Sequence, residues 1–485
     1  MIRALTVIHV LGLMLILFSG TYILPIITSL IYQDGTLIDF VLAMWMTFLS
    51  GALMWILTRR YKAELSIRHG YLLVVLMWTA MPAFATMPLL LLLDGLSFTD
   101  AYFETMSGMT TTGATVLVGL DSLPQAINLW RHELVWLGGM GIIVLVVAIM
   151  PLLGIGGRQL YKAETPGPMK DSTLTPRITE TARSLWLVYF GITLACIVSL
   201  KLAGMSLFDA VCHSFSTMGL GGFSTHDASI AYFNSPLIEL VLMLFMLLAV
   251  MNFATHFLAI REKSFRPYFS DVEGRSSIIL VLGSCFAIAF FLLWKGSYAD
   301  YWTALRYASF NLISVATSSG YANTDFSQWP LFAPLWMLFL SCIAASSGST
   351  GGGIKMIRTL ILFKQAGREF TKLLHPSAID PMKIGGAVIP NNIVFSVLAF
   401  IFLYFMSVVT FTFVMLISGL DFMTAFSAVI ASINNVGPGL GQVGPAFNYS
   451  VLNNFQTWVC TAAMLIGRLE IITLLIIFTP KFWQR

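Results

Sequence analysis

The sequence predicts an all-α polytopic membrane protein: four M1–pore helix–M2 repeats around a pseudo-fourfold pore, preceded by two extra transmembrane helices. Three observations carry the prediction: an apolar composition, basic residues confined to alternate loops, and a glycine turn that recurs four times. Of 485 residues, 57% are hydrophobic and only 10% charged, against about 25% charged in a soluble domain. No soluble core hides that much apolar surface, so lipid must cover the rest. A net charge of +4 spread over loops offers no basic stripe, and nucleic acid is not expected as a partner.

The first element is the apolar run from Ala4 to Ile31. It exceeds the roughly 7–15 apolar residues of a signal peptide and lacks a cleavage signature, so it reads as a span. Residues 1–62 are expected to form an N-terminal transmembrane helix pair. Lys and Arg cluster at 59–69, 157–164, 261–268, 364–375 and 481–485, whereas loops such as "YQDGTL" (32–37) and "THDASIAYFNS" (225–235) are acidic or neutral. Basic loops stay on the cytoplasmic side. Both termini are therefore expected there.

Between basic loops the chain does one thing four times, giving expected repeats at 66–160, 176–265, 276–375 and 386–485. A long apolar span precedes a shorter segment rich in small residues, then a glycine turn, then another span. The short segments and turns read "AYFETMSGMTTTGAT" (101–115), "AVCHSFSTMGLGGFS" (210–224), "ALRYASFNLISVATSSGYA" (304–322) and "AFSAVIASINNVGPGLG" (425–441). Pairing Gly113, Gly222, Gly320 and Gly439 gives separations of 109, 98 and 119 residues, and Ser107, Ser216 and Ser314 then coincide. A segment of about 12 helical residues reaches halfway through a bilayer of about 30 Å. The chain must dip in and return, which keeps the basic loops on one side. Backbone that is not helical survives at that depth only inside protein or against water. Four such turns on one axis line a single pore, where carbonyls replace the hydration shell of a cation. Helix C-termini add partial negative charge.

These four turns resemble the degenerate filter sequences of the Trk/Ktr/HKT superfamily of potassium transporters, most closely its bacterial TrkH branch. The matching stretches are "TTTGAT", "GLGGFS", "SSGYA" and "NVGPGLG", and the likeness covers residues from about 66 to 485, with 1–62 fitting the TrkH branch too. The resemblance implies potassium as the transported ligand, with a filter of Thr110, Thr111, Thr112 and Gly113; Gly219, Leu220, Gly221 and Gly222; Thr317, Ser318, Ser319 and Gly320; and Val436, Gly437, Pro438 and Gly439. It also implies a homodimer in a bacterial inner membrane and a cytoplasmic TrkA-like regulatory subunit that binds nucleotide. No covalent cofactor is implied, and membrane lipids are the remaining partners. Some plant relatives carry serine at the first-repeat glycine and favour sodium; Gly113 points to potassium with rubidium tolerated. The literal potassium-channel motif "TVGYG" is absent.

The last span, "TWVCTAAMLIGRLEIITLLIIF", places Arg468 and Glu470 near its middle. Ionisable residues at that depth mark function by default. Two apart, they do not share a helix face. The resemblance implies that Arg468 is a positive barrier below the filter; a structural ion pair with another helix is the alternative. Equivalent spans carry "GGMGI" (138–142), "MNFATHF" (251–257) and "GGGIKM" (351–356), all weak points of an apolar helix. The third is the longest. "AASSGSTGGGIK" (344–355) interrupts a span whose flanks are each too short to cross, so Ala345, Ser346, Ser347, Gly348, Ser349, Thr350, Gly351, Gly352 and Gly353 read as a gate loop in the pore, against a plain kink. A phosphate-binding loop is excluded because G-x-x-x-x-G-K-[ST] is not matched.

An enzyme is not expected. Glu104, His132, His213 and His256 are scattered among repeats, and Glu104 and His213 fall at equivalent positions beside Asn311, which suggests pore-helix packing. Cys196, Cys212, Cys285, Cys342 and Cys460 sit singly in apolar runs as small core residues. A cotransporter coupled to protons or sodium shares every one of these features with a channel.

Overall fold

The computed structural model of the chain describes residues 2–61, 66–141, 178–378 and 380–484. The basic loop 157–164, the end of the first repeat and the start of the second lie outside them. The N-terminal pair consists of a helix from Leu5 to Tyr32, bent through a short 3-10 turn, and the helix Leu37–Thr58. Gly12 and Gly51 bring the two together: a Cβ on either would lie 2.7 Å from the carbonyl oxygen of the other. The pair packs on the first repeat, where Tyr22 stacks on Trp130 at 4.5 Å and donates its hydroxyl to the Phe84 carbonyl at 2.9 Å.

Each repeat is a long outer helix, a short pore helix and an inner helix that stops short. The outer helices run over Arg68–Leu92, Glu180–Leu202, Val272–Trp294 and Asn391–Ile417. Their lipid-facing sides keep residues such as Phe190, Phe290 and Phe402 exposed, as hydrocarbon requires. The pore helices are Phe98–Met109, Leu207–Gly219, Tyr301–Ala316 and Phe422–Ile433. Their starts were written into the sequence. Ser97, Ser206, Asp300 and Asp421 each accept a bond from the backbone N–H three residues on, satisfying donors that the helix leaves unpaired.

All four inner helices stop partway. Gln125–Gly139 ends at a glycine, Pro236–Ala249 turns by 94° into Phe253–Glu262, and Phe332–Ile343 gives way to a loop before Met356–Leu374. The fourth departs from expectation. The span expected to run on to Phe478 is two helices, Asn454–Arg468 and Ile471–Phe478, bent by 110°. Glu470 sits in the left-handed region (φ 54°) at the corner. Among the described residues there is one hairpin, Lys383–Ile384 against Ala387–Val388, which turns on Gly385 and Gly386, both left-handed. All five cysteines are buried free thiols.

Candidate functional site

The register of the four turns is set by the ends of the pore helices. In each copy one N–H reaches back five residues to a helix carbonyl: Thr112 to Ser107 (2.8 Å), Gly221 to Ser216 (3.0 Å), Ser319 to Ser314 (2.8 Å) and Val436 to Ala431 (2.8 Å). The residue before each of these donors is left-handed: Thr111, Leu220, Ser318 and Asn435 have φ of 58°, 56°, 67° and 54°. The residue after it is a left-handed glycine, at φ of 76° for Gly113, 64° for Gly222, 82° for Gly320 and 95° for Gly437. Only glycine enters that region without steric cost.

The fourth member is thus Gly437, and the expected Gly439 is two residues out of register. "NVGPGLG" offers three glycines, and aligning them ignores the helix terminus that fixes the geometry. Gly439 donates instead to Val443 at 2.8 Å, and with Pro438 it lies beyond the turn. Asn434 and Asn435 take the places equivalent to Thr110 and Thr111.

The four turns close a ring. A Cβ on Gly113 would overlap the Gly221 carbonyl oxygen, one on Gly222 that of Ser319, and one on Gly320 that of Val436; on Gly437 it would stop 2.8 Å from the carbonyl of Thr112. Gly113, Gly222, Gly320 and Gly437 face one outer vestibule together with Thr115, Ser224, His226 and Asp227. Four pore-helix C-termini and a ring of backbone at close quarters favour a cation.

Polar residues at equivalent pore-helix positions hold the outgoing strands in the first three copies; the fourth has Ala428 at that position and uses the preceding residue. Glu104 accepts from Thr115 Oγ1 and Val116 N–H at 3.0 Å, and pairs with buried Arg131 at 2.8 Å. His213 Nε2 lies 3.0 Å from Ser224 Oγ, and Asn311 donates to Asn323. The fourth copy uses Ser427, which accepts from Leu440 N–H at 2.8 Å. They are packing residues, each bonded within its own copy. Arg131 carries no mark in the sequence beyond being a charge in a span.

Beneath the ring lies the 344–353 loop. Ser346 N–H donates to Val250 O (3.1 Å), Ser347 N–H to Glu273 (2.6 Å), and Phe253 N–H to Gly348 O (3.1 Å). Its tip presses on the turns from below. Thr350 Oγ1 donates to Met218 O at 3.0 Å, a Cβ on Gly351 would lie 3.1 Å from Thr317 O, and one on Gly352 would overlap Asn434 O. Arg468 ends its helix in the same space. Its guanidinium donates to Thr111 Oγ1 (3.3 Å), Thr350 O (2.9 Å), Gly139 O (2.9 Å) and Gly138 O. Glu470 pairs with Arg358 across the bundle at 2.9 Å. Two further residues belong here that sequence reasoning did not single out. Lys355 is buried, left-handed (φ 78°) and donates to Gly351 O, and Glu273 also accepts from Ile357 N–H at 3.1 Å.

Comparisons with known proteins agree with this geometry. The family described as TrkH, cation transport protein, matches residues 37–485. The Trk system potassium uptake protein TrkH of Vibrio parahaemolyticus is 46% identical over 483 residues, 99% of each chain. That of Escherichia coli K12 is 44% identical over 484 residues, again 99% of each. The crystal structure of the potassium transporter TrkH from Vibrio parahaemolyticus matches with a TM-score of 0.89 at 43% identity, covering 99% of both chains.

Proposed function

The chain belongs to the TrkH family of cation transport proteins, a family of transporters rather than enzymes, and on that premise we propose that it takes up potassium across the inner membrane. The filter is Thr110–Gly113, Gly219–Gly222, Thr317–Gly320 and Asn434–Gly437. The observation that carries this reading is the ring of four left-handed glycines, each packed on the next copy, open to the vestibule above. The 344–353 loop with Arg468 acts as the gate. Supporting this, the loop tip and the guanidinium together reach turn residues of the first, third and fourth copies and the pore-helix end of the second. The pore is built from four repeats, at 66–160, 176–265, 276–375 and 386–485, the outer helix of the third starting slightly earlier, at Val272. The protein works as a homodimer with its termini in the cytoplasm. A TrkA-like nucleotide-binding subunit grips the cytoplasmic helix that continues the loop, Met356–Leu374.

Rubidium uptake into proteoliposomes, with potassium, sodium, lithium and caesium as competitors, tests the proposal. Uptake that rubidium and potassium share and sodium scarcely inhibits is expected. Equal inhibition by all four cations overturns the filter, and reversal potentials separate a channel from a coupled carrier.

A further inference from the structure

The four turns differ most at the place where the ring closes. The overlaps that a Cβ would meet run from the first copy to the second, the second to the third and the third to the fourth, but the contact from Gly437 back to Thr112 O is looser, at 2.8 Å. This seam carries a bond of its own. Asn435 Nδ2 donates to Thr112 Oγ1 at 2.9 Å; among the described residues it is the one hydrogen bond between filter side chains of different copies.

The bond has a direction. Asn435 Nδ2 also faces the Met464 carbonyl at 3.1 Å, so the nitrogen must stand on that side; a flipped amide would set two oxygens against each other. Thr112 Oγ1, having accepted, lies 2.8 Å from Thr110 Oγ1, which donates to Met106 O at 2.7 Å. A polarised chain therefore runs from the Asn435 amide, itself anchored on the fourth inner helix, through the seam to the end of the first pore helix. Asn435, Thr112 and Thr110 are all fully buried, where such chains strengthen one another. The third copy has a matching hydroxyl pair, Thr317 and Ser319 at 3.0 Å, with no amide feeding it. In the second, Gly219 and Gly221 have no side chains to join.

We infer that Asn435 is a positioning residue for cation discrimination: its amide latches the fourth filter strand to the first and fixes the Thr112 hydroxyl and backbone at the loosest seam of the ring. The inference rests on the filter reading above. An asparagine also suits the left-handed backbone at this position, but conformation alone does not demand it, because Leu220 occupies the equivalent place at φ 56°.

That equivalence supplies the test. Asn435→Leu removes both donors at a position whose counterpart already holds leucine. Asn435→Asp keeps size and left-handed tolerance but accepts where the amide donates. Each is assayed as the full-length protein in proteoliposomes for sodium inhibition of rubidium uptake, beside Thr112→Val, the double variant and Gly113→Ser. A net hydrogen bond corresponds to roughly a three- to tenfold change in an equilibrium, so discrimination against sodium should fall about three- to tenfold in both Asn435 variants. Asn435→Leu with Thr112→Val should be no worse than either single variant. If Asn435→Leu does not reach the membrane, Asn435→Asp and Thr112→Val carry the comparison. Unchanged discrimination in the Asn435 variants, or strictly additive losses, overturns the latch while a loss in Gly113→Ser leaves the filter standing. Unchanged discrimination in Gly113→Ser as well overturns the filter and the latch with it.

Discussion

Replacing Arg468 with glutamine removes the charge under the filter while keeping a side chain of similar reach. The guanidinium touches Thr111 Oγ1 at 3.3 Å, so a cation leaving the inner end of the filter passes within about 6 Å of it. At an effective dielectric of about 20, two like charges at that separation repel by about 3 kcal/mol. Since about 1.4 kcal/mol is tenfold in rate, removing the charge should raise flux by roughly ten- to a hundredfold, less where the loop still blocks the path. The bonds to Thr350 and Gly139 act in the same direction, because through Arg468 they tie the proposed gate loop to the end of the first inner helix. Arg468→Lys keeps the charge but lacks the planar fork that spans several carbonyls, and should raise flux much less. Rubidium uptake at matched protein density reads both variants. An Arg468→Gln protein as stable as the parent, with unchanged uptake, refutes the barrier; one that fails to fold marks Arg468 as structural.

Three further outcomes are expected. Gly113→Ser places a Cβ on the Gly221 carbonyl at a left-handed residue and should cost about tenfold or more in discrimination against sodium, whereas Gly439→Ala, outside the ring, should leave it unchanged; equal sodium inhibition of the two would reject the register. Deleting Ser346–Gly352 should open the path constitutively and free uptake from any cytoplasmic partner, and a folded deletion protein that conducts no faster than the parent rejects the gate. Asp34 accepts from Ser29, Thr36 and the Ala126 N–H, in the first turn of the first inner helix. Burial pushes its carboxyl up, but these bonds outweigh it and hold the group below the usual carboxylate range. A depressed carboxyl stabilises above its unfolded pKa of about 3.9 and loses that contribution as pH falls through the folded value. Asp34→Ala should therefore lower stability at neutral pH by about 1 kcal/mol, as a lost helix cap does. The gap from the parent should narrow in thermal unfolding as pH falls below the ordinary carboxylate range.

Much of this was legible in the sequence, because the bilayer reduces the fold to apolar length, basic loops and helix interruptions. The outer helices, the short pore helices and their Ser and Asp caps follow from local pattern. The register of the fourth turn did not. Three glycines in "NVGPGLG" compete, and only the bond from Val436 to Ala431 selects Gly437. Counting from the helix end rather than from the glycine finds it: Ala431 then aligns with Ser107, Ser216 and Ser314. The corner at Glu470 was equally hidden, since apolar residues continue on both sides of Arg468 and Glu470 as far as Phe478. A partner more than a hundred residues away, Arg358, holds the Glu470 carboxylate there. Asn435 and Lys355 went unmarked for a similar reason. A lone polar residue in a turn acquires a role only from what the other copies bring to it.

The same bonds explain why, among the described residues, the third inner helix yields a long loop. In the first and fourth copies a glycine lets the inner helix close on its own pore-helix end: a Cβ on Gly138 would overlap Met109 O, and one on Gly467 would overlap Ile433 O. The equivalent carbonyl in the second copy, Met218 O, accepts from Thr350, a residue of the third copy's loop. That loop therefore meets a need its neighbour leaves open, and its own ends are tied by Ile354 to Cys342 (2.7 Å) and Met356 to Ala345 (2.8 Å). Hinged at a closed base and bonded at its tip to groups outside its own repeat, the loop can change position without unravelling a helix. Each tip bond given up on opening must be replaced by water from the pore, since buried backbone left unpaired costs about 1–3 kcal/mol per group. For a gate built this way, opening is coupled to wetting of the space beneath the proposed filter.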